Sequence, residues 1–330
     1  MSIPSHAPIA VTTRGGRVEC VHYGSVAVVD REGKLVASVG DPGALNFTRS
    51  SLKPIQAHPF VQDGGIDRYG FTTREVALLC ASHSGEPMHV EVVSRILERI
   101  GATERDLQCG CHTPTFYRAT GRTPPADGRW SQLHHNCSGK HSGFLAFCRM
   151  HGLPLATYLD PESPLQRRIR DSLRQVASPS ETAMGIDGCS APNYAMPLSS
   201  LAHAFCRLAL GETPELATLG AAMRAHPELV SGTARFDLAL MAVGGGDWVT
   251  KSGADGMQAI GVRSRGLGIA VRAADGSPRG LHIATVAVLQ SLGLLGDIAG
   301  TPLDALVERE IRNYRGTLVG EVKPAFDKLD

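Results

Sequence analysis

Two serines and a lysine near residue 50 form the first pattern in the chain that can carry out chemistry. The segment NFTRSSLKPIQ, residues 46–56, contains Ser50, Ser51 and Lys53. Neighbours on a helix face are three or four residues apart, so Ser50 shares a face with Lys53 and Ser51 does not. A serine hydroxyl is a poor nucleophile at neutral pH and needs a base, which a buried, deprotonated lysine can supply. The plainer interpretation is a helix N-terminus followed by a solvated lysine.

A second lysine lies far along the chain, at Lys251 in the segment WVTKSGADG. It ends a predicted strand and is followed by Ser252 and Gly253. In penicilloyl-serine enzymes, an S-x-x-K at a helix start goes with a later K-T-G or K-S-G on a strand. Both patterns occur here in that order, although KSG alone also fits a strand entering a turn. Two lysines in one pocket would lower each other's pKa, and this would help either of them to accept a proton.

A further serine lies in the segment LLCASHSGEP, where an apolar run ends in a polar loop. The loop offers Ser82, His83, Ser84 and Glu86 just before a predicted helix. Ser84 and Glu86 are explained simply as a helix entrance. His83 is a candidate general base, although a single loop histidine is more often a surface residue. Ser82 is less easily explained as a cap, so it is a candidate second serine for a lysine to serve.

Two cysteines in polar loops form the other unusual pattern. Cys137, in LHHNCSGKHSGF, lies at a predicted helix N-terminus, where a thiolate is stabilised, and Cys189 lies in GIDGCSAPNY. The pair could be a metal site, a disulfide or two unrelated residues. A disulfide is disfavoured in the cytosol, and zinc would need further ligands. From the residues alone His135 is the first choice for such a ligand. Lys140 is less usual, because a lysine must lose its proton to bind a metal.

These residues must be positioned by elements whose order is readable from the sequence. Residues 17–41 predict two strands joined by a charged turn. Residues 135–245 predict mostly helices, because apolar residues recur at helical spacing and glycines follow them. After residue 246 short apolar runs alternate with turns, and a last apolar helix follows. The order predicts an α+β fold in which both ends of the chain build one antiparallel sheet flanked by helices.

We therefore predict a single catalytic domain over residues 1–330. Residues 1–60 and 246–330 are predicted to form the sheet part. Residues 61–245 are predicted to form an inserted, mostly helical part.

The composition excludes several classes of partner. The chain has 330 residues, with 33 Lys and Arg against 32 Asp and Glu, and a net charge of +1. This balance gives no attraction for nucleic acid or an anionic membrane. The N-terminus has no apolar segment typical of a secretory signal, and the longest apolar stretch, HIATVAVLQSLGLLG, is too short to span a bilayer. We expect a cytoplasmic protein with no nucleic-acid or membrane partner.

Seven segments together resemble one family, the bacterial asparaginase II family of the thermolabile type, which is unrelated to the threonine-nucleophile asparaginases. The segments are RSSLKPIQ, CASHSGEP, HHNCSGKHSGFLAFC, YLDPESPLQ, GIDGCSAPNYAMPL, SGTARFD and KSGADG. They follow the family order between about Val18 and Leu295. The resemblance implies a serine β-lactamase/glutaminase-like fold, L-asparagine amidohydrolase activity, a homodimer and a zinc site.

The resemblance also implies roles for individual residues. Two Ser–Lys pairs are implied, Ser50 with Lys53 and Ser82 with Lys251. Three zinc ligands are implied, with water completing the shell: Cys137, Lys140 and Cys189. Three residues are implied to contact the substrate or the zinc-bound water: Arg49, His141 and Asp187.

From these roles we expect a double displacement. Ser50 is the expected nucleophile, by analogy with S-x-x-K enzymes, with Ser82 as a proton relay and Lys251 as an electrostatic partner. Two Ser–Lys pairs in one pocket also allow the opposite assignment, with Ser82 as the nucleophile. Arg49 is the expected partner of the substrate's α-carboxylate, and Asp187 of its α-ammonium group. Zinc is expected to orient the cysteine loops and a water rather than to act as the catalyst.

Three alternatives remain open at the level of sequence. A glutaminase would use the same site, because a pocket discriminates one methylene by only about 1–3 kcal/mol. A penicillin-binding protein or β-lactamase would share the fold but act outside the cytoplasm. A non-enzymatic zinc-dependent binding protein would require both serines and both lysines to be incidental.

Overall fold

The computed structural model describes residues 3–326 and 329, so the ends of the predicted 1–330 domain at residues 1, 2, 327, 328 and 330 lie outside the described residues. The strands are β1 (Ala7–Arg14), β2 (Arg17–Val29), β3 (Leu35–Val39), β4 (Leu45–Phe47), β5 (Ala183–Ile186), β6 (Pro192–Pro197), β7 (Trp248–Gly253), β8 (Met257–Val262), β9 (Leu267–Ala273), β10 (Glu310–Arg312) and β11 (Leu318–Pro324). The α-helices are α1 (Lys53–Gln62), α2 (Gly65–Tyr69), α3 (Thr73–Leu79), α4 (Pro87–Arg99), α5 (Thr115–Thr120), α6 (Ser138–Met150), α7 (Pro164–Ala177), α8 (Leu198–Leu210), α9 (Pro214–Ala225), α10 (Pro227–Val230), α11 (Phe236–Val243) and α12 (Pro278–Ser291).

The main sheet joins the two ends of the chain. It has eight strands in the order β10-β11-β1-β2-β9-β8-β7, with β3 also paired to β2. Its strand pairs are antiparallel, and Val11 of β1 lies opposite Lys323 of β11. Helices pack on both faces of the sheet. The predicted α+β fold, with an antiparallel sheet built from both ends and a helical region inserted between them, is confirmed.

Local sequence explains where several helices begin. Helices α7 and α12 each start with a serine followed by a proline, and the serine hydroxyl accepts a backbone N–H of the first turn. Serine at the cap and proline at the first helical position both suit the unpaired amides of a helix N-terminus. Within residues 3–326, no helix is long and apolar enough to cross a membrane.

The inserted region is not wholly helical. Strands β5 and β6 lie within it and form a second, three-stranded sheet with β4, in the order β4-β6-β5. Asn46 of β4 pairs with Met196 of β6, so a strand of the first part is bound to the insertion. This small sheet brings the chain just before Ser50 close to the loop that carries Cys189.

Candidate active site

The Ser50 segment begins a helix, as its spacing predicts. Residues Arg49–Leu52 form a 3-10 turn that leads directly into α1, and the Lys53 N–H donates to the Ser50 carbonyl. Lys53 adopts helical dihedrals, φ −56° and ψ −38°, although Pro54 follows it and disfavours that region. Pro54 falls in the first turn of α1, where its missing N–H removes no helical hydrogen bond.

The turn starts from a strained residue. Arg49 has a φ of 49°, in the left-handed region that residues other than glycine rarely adopt. The Asn193 side chain holds this conformation: its Oδ1 accepts the Arg49 N–H at 3.0 Å, and its Nδ2 donates to the Arg49 carbonyl at 3.0 Å. Backbone strain of this kind is concentrated at functional sites. The small sheet, through Asn193 on β6, therefore fixes the position of Ser50.

The Lys53 amine lies beside Ser82. Its Nζ is 2.9 Å from Ser82 Oγ, 2.6 Å from the Ala81 carbonyl oxygen and 3.3 Å from that of Asn136. Lys53 and Ser82 are 1% and 3% exposed. Burial lowers the pKa of Lys53, with the Cys137 thiol opposing the shift. A buried lysine of this kind is suited to accept a proton from a hydroxyl.

The Lys251 amine lies beside a carboxylate. Its Nζ donates to the Ser252 carbonyl at 2.8 Å and lies 3.5 Å from Asp237 Oδ2, and both charged side chains are buried. Burial lowers the pKa of Lys251 to about 8; Asp237 opposes this shift and the charge of Lys53 adds to it. Asp237 is further held by the Ser252 N–H at 2.9 Å and by Gln258 Nε2 at 3.0 Å.

The pairing of serines and lysines in the structure differs from the predicted pairing. Lys53 was predicted to pair with Ser50, and Lys251 with Ser82. In the structure Lys53 contacts Ser82, while Lys251 contacts Asp237. Ser50 is partly buried and is not among the partners of Lys53. The difference has a physical cause: the side chain of Lys53 extends to the loop after α3, a long-range contact that helical spacing does not reveal.

Cys137, Lys140 and Cys189 come together in a cluster that we call the thiol cluster. Lys140 Nζ lies 3.0 Å from Cys189 Sγ, and each of the three residues is at most 4% exposed. A hydrogen bond with Cys189 is the main reason that the pKa of Cys137 is well below its usual range. Burial alone would lower the pKa of Lys140, but the Cys189 and Cys137 thiols outweigh burial and raise it.

The thiol cluster fits zinc in the chemistry of its donors. Thiolate sulfur and neutral nitrogen are zinc ligands, and three protein donors leave a position for water. Among the described residues, no group of three or more His, Cys, Asp and Glu side chains is placed to hold a metal ion. The Lys140 side chain is in contact with the pair of cysteines and is therefore the candidate third donor. The Nδ1 of His135, the alternative ligand, instead accepts the Cys137 N–H at 3.0 Å.

The two residues predicted to bind the substrate's charged groups are paired with each other. Arg49 Nε donates to Asp187 Oδ1 at 2.8 Å, and the Arg49 guanidinium also contacts Asp255. Burial would raise the pKa of Asp187, but Lys140, the Gly188 N–H and Arg49 outweigh it and lower the pKa.

His141, the third predicted contact residue, is fully buried behind the thiol cluster. Its Nδ1 lies 2.7 Å from the Tyr158 hydroxyl, and its Nε2 has no hydrogen-bond partner among the described residues. Burial lowers the pKa of His141 to about 4. His141 is therefore neutral near pH 7, although a hydrogen bond with Cys189 opposes the shift and places the ring beside the thiol cluster.

Comparison with known families decides the affiliation of the chain. The family model described as L-asparaginase II matches residues 10–324. The chain belongs to the L-asparaginase II family. This finding confirms the predicted family, whose name describes enzymes that act on amides. No curated protein matches the chain significantly.

Solved structures show distant likenesses to this member of the L-asparaginase II family. A penicillin-binding protein homologue from Pyrococcus abyssi, described as octameric, is 13% identical, with coverage of 89% of this chain and 80% of that chain and a TM-score of 0.45. A β-lactamase from Mycobacterium bovis is 13% identical, with coverage of 81% and 94% and a TM-score of 0.34. A penicillin-binding protein homologue from Caulobacter crescentus is 15% identical, with coverage of 78% and 90% and a TM-score of 0.36.

Sequence reasoning assigned no role to three residues that shape this L-asparaginase II site. Asn193 holds Arg49, Asp237 holds Lys251, and Arg235 lies near Lys251. A signal for Asp237 was present in the segment RFDLALMAV, because one acid at the start of an apolar run indicates a buried acid that needs a partner.

Proposed function

We propose that this protein hydrolyses the side-chain amide of L-asparagine to L-aspartate and ammonia through a serine acyl-enzyme. The observation that carries the proposal is the buried Lys53 amine, 2.9 Å from Ser82 Oγ, in a member of the L-asparaginase II family. A lysine with a lowered pKa beside a hydroxyl is the arrangement that activates a serine. Two further expectations from the resemblance, a homodimer and a cytoplasmic location, belong to the same proposal.

The accessibility of the two serines supports Ser50 as the nucleophile. Ser50 is partly buried, whereas Ser82 is 3% exposed, so an amide reaches Ser50 more easily. In the substrate complex, Ser82 passes the proton of Ser50 to Lys53. The Ser50 oxygen bonds to the amide carbon, the C–N bond breaks, and ammonia leaves with the proton that Lys53 returns. Water then hydrolyses the ester and frees Ser50 and L-aspartate.

Lys251 is proposed to act by its charge. Asp237 and the Ser252 carbonyl fix its amine at a buried position where its charge also acts on Lys53. A fixed positive charge in a water-excluded site stabilises an oxyanion that develops near it.

The thiol cluster is proposed to hold zinc through Cys137, Lys140 and Cys189. Bound zinc would hold the two cysteine loops together and orient a water molecule. The three residues themselves position the start of α6 against the loop between β5 and β6. The proposed acyl transfer uses only the serines and lysines.

Ammonia release from L-asparagine by purified protein, with L-glutamine alongside, tests the proposal. Ser50→Ala and Ser82→Ala should each reduce kcat by at least about 100-fold, the usual effect of losing one proton-transfer group. Ser51→Ala is the matched control, because the Ser51 hydroxyl instead donates to the Thr48 carbonyl at 2.6 Å and this variant should keep most of the activity.

Acyl-enzyme trapping identifies the nucleophile directly. Rapid quenching followed by peptide mass spectrometry should place the added aspartyl group on the peptide that contains Ser50. An adduct on Ser82 would exchange the roles of the two serines. Activity on L-glutamine alone would change the substrate, and no ammonia from either amide by folded, zinc-loaded protein would refute an amidohydrolase.

A further inference from the structure

The guanidinium group predicted to bind the substrate's carboxylate is already occupied. Arg49 contacts the carboxylates of both Asp187 and Asp255. Together, the two carboxylates and the one guanidinium carry a net negative charge. A substrate carboxylate at this place would be repelled or would have to displace one of the acids.

A second arginine near the reacting groups is not paired in this way. Arg235 is partly buried, and its Nη1 donates to Thr115 Oγ1 at 3.2 Å. Within the described residues, Arg235 forms no salt bridge with Asp or Glu. Burial lowers the pKa of Arg235, and Asp237 opposes that shift. A guanidinium group has five N–H donors, so most of its hydrogen-bonding capacity is not used by Thr115.

The acids near Arg235 are engaged elsewhere. Glu86 accepts the Thr233 N–H at 2.9 Å and the Thr233 hydroxyl at 2.7 Å. Asp237 accepts hydrogen bonds from Ser252 and lies beside Lys251. Neither carboxylate is therefore a direct partner that would exclude an incoming anion from Arg235.

The loop that carries Arg235 is packed against the loop that carries Ser82. The Ser82 N–H donates to the Val230 carbonyl at 2.9 Å, and Ser84 Oγ donates to the Ser231 carbonyl at 3.0 Å. Gly232, with a φ of 119°, allows this close approach, because a Cβ there would lie only 2.8 Å from Ser84 Cβ. The position of Arg235 is thus tied to that of Ser82 by direct contacts.

The first turn of α5 completes the surroundings of Arg235. The Phe116 N–H donates to the Ser84 carbonyl at 3.0 Å, and Thr115, the neighbour of Phe116, is the partner of Arg235. Arg235 also acts on the pKa of Lys251 through its charge. It therefore lies where its own loop, the loop of Ser82 and the start of α5 meet, close enough to Lys251 for its charge to act there.

We propose that Arg235, rather than Arg49, binds the α-carboxylate of the substrate and makes the enzyme selective for a free amino acid. The inference rests on the proposed amidohydrolase function. L-Asparagine carries one anionic group, and the planar fork of a guanidinium matches a carboxylate with two parallel hydrogen bonds. Partial burial makes that pair stronger than an exposed one.

Two amides that differ by the α-carboxylate test the inference. They are L-asparagine and 3-aminopropanamide, which keeps the amide and the amine but has hydrogen in place of the carboxylate. Wild type should prefer L-asparagine. Arg235→Gln should lower kcat/KM for L-asparagine about 10- to 100-fold, as expected for the loss of a charge-assisted pair, and should leave 3-aminopropanamide nearly unchanged. Arg118→Gln, which removes an exposed charge on α5, is the matched control and should keep the wild-type preference.

The outcomes separate this inference from the proposed function. A preference unchanged in folded Arg235→Gln, or a wild type that hydrolyses both amides equally, overturns the role of Arg235. If Arg235→Gln does not fold by circular dichroism, Arg235→Lys replaces it, and a wild-type preference in that variant also overturns the role. Release of ammonia from neither amide by wild type refutes the proposed function. In that case, calorimetry of L-aspartate binding to wild type and to Arg235→Gln tests the role of Arg235 separately. Binding at least about tenfold weaker in the variant supports the role. Equal affinity in the two proteins, or no binding by wild type, overturns it.

Discussion

Lys53 and Lys251 are both buried, but only Lys251 has a carboxylate beside it. Lys53 contacts two carbonyl oxygens and the Ser82 hydroxyl, and the Cys137 thiol opposes the lowering of its pKa. Lys251 lies 3.5 Å from Asp237. A carboxylate favours the charged form of a lysine, whereas burial favours the neutral form. Because Lys53, and not Lys251, lies beside a serine hydroxyl, we infer that Lys53 accepts the proton and Lys251 supplies a charge.

Replacement of Lys251 by methionine should remove part of the pH dependence of stability. Burial lowers the pKa of Lys251 from its ordinary value of 10.5 to about 8, with Asp237 opposing the shift. Below pH 8 the folded and unfolded chains both hold the proton, and the folded chain carries the full cost of the buried charge. Between these two pKa values only the unfolded chain holds the proton, so the free energy of unfolding should rise with pH, by at most about 1.4 kcal/mol per unit.

Urea unfolding across this pH range, in wild type and Lys251→Met, measures that rise. The increase should be smaller in the variant. Lys34→Met, which removes an exposed lysine, should behave like wild type. Equal slopes in wild type and Lys251→Met would show that the proton on Lys251 is not linked to folding.

The sequence specifies residue types at this site better than it specifies their partners. The spacing of Ser50 and Lys53 correctly predicts one helical start. It does not reveal that Lys53 reaches Ser82, because that contact depends on how α1 packs against the loop after α3. Asp237 illustrates the same limit: its position suggests a buried acid, but only the folded chain brings Lys251 to it.

At the scale of elements, two glycines allow α6 to lie close to α3. A Cβ at Gly139 would lie 2.5 Å from the Leu78 carbonyl oxygen, and a Cβ at Gly143 would lie 2.9 Å from Leu79 Cδ2. The two glycines are four residues apart and face the same neighbour. Since α6 starts at the thiol cluster, its packing against α3 also fixes Cys137 and Lys140.

Gly139→Ala should destabilise the protein more than Gly143→Ala. The added methyl group at residue 139 meets backbone, which cannot move without shifting α3, and such overpacking typically costs about 1–3 kcal/mol. At residue 143 the methyl group meets the end of a leucine side chain that can change rotamer. Alanine also favours helix over glycine by about 1 kcal/mol, which offsets the smaller clash. Thermal unfolding of both variants measures the difference, and equal stabilities would contradict this account of the α3–α6 contact.

The zinc proposal makes a prediction for the two loops that form the thiol cluster. Cys137→Ser and Cys189→Ser should each lower zinc affinity by more than about 100-fold, because loss of a ligand exceeds the usual effect of an outer-shell change. Cys20→Ser removes an exposed thiol on β2 and should bind zinc like wild type. Zinc per chain, measured by mass spectrometry after dialysis against a metal buffer, checks this. Full zinc content in both variants would place the metal elsewhere.

The strands of the small sheet were harder to predict from the sequence than those of the main sheet. Strand β4 has three residues, and its partner β6 lies far along the chain. A strand this short has no alternation to detect, and its pairing depends on tertiary packing. The strands of the main sheet were easier to predict from the sequence because most of them are longer and are separated by clear turns.

At the scale of the whole molecule, the main sheet belongs to two hydrophobic cores. Along β2, Val26 and Val28 pack into one core, while Ala27 and Val29 pack into the other. The alternation of side chains along a strand produces this division. The core that contains Ala27 and Val29 includes most of the inserted helices, and the core that contains Val26 and Val28 includes α12 and most of the buried side chains of α11. Unfolding of the sheet would therefore remove packing contacts from both cores.

This shared sheet leads us to predict that the helical and sheet parts unfold together, as one domain. The chain has two tryptophans, Trp130 in the inserted region and Trp248 on β7. In Trp130→Phe, the fluorescence of Trp248, which is 4% exposed, reports on the sheet. Far-UV circular dichroism of the same variant reports mainly on the inserted helices. Because both signals come from one variant, their midpoints can be compared directly.

Coincident urea midpoints for the two signals would support one cooperative unit. A loss of helix at lower urea than the change in Trp248 would instead mean that residues 61–245 unfold separately. Since Ser82 lies in the inserted region, whereas Lys53 lies at the start of α1 and Lys251 on β7, separate unfolding would divide the site between two units. In that case activity should disappear with the first transition, whereas in a single domain it should disappear together with both signals.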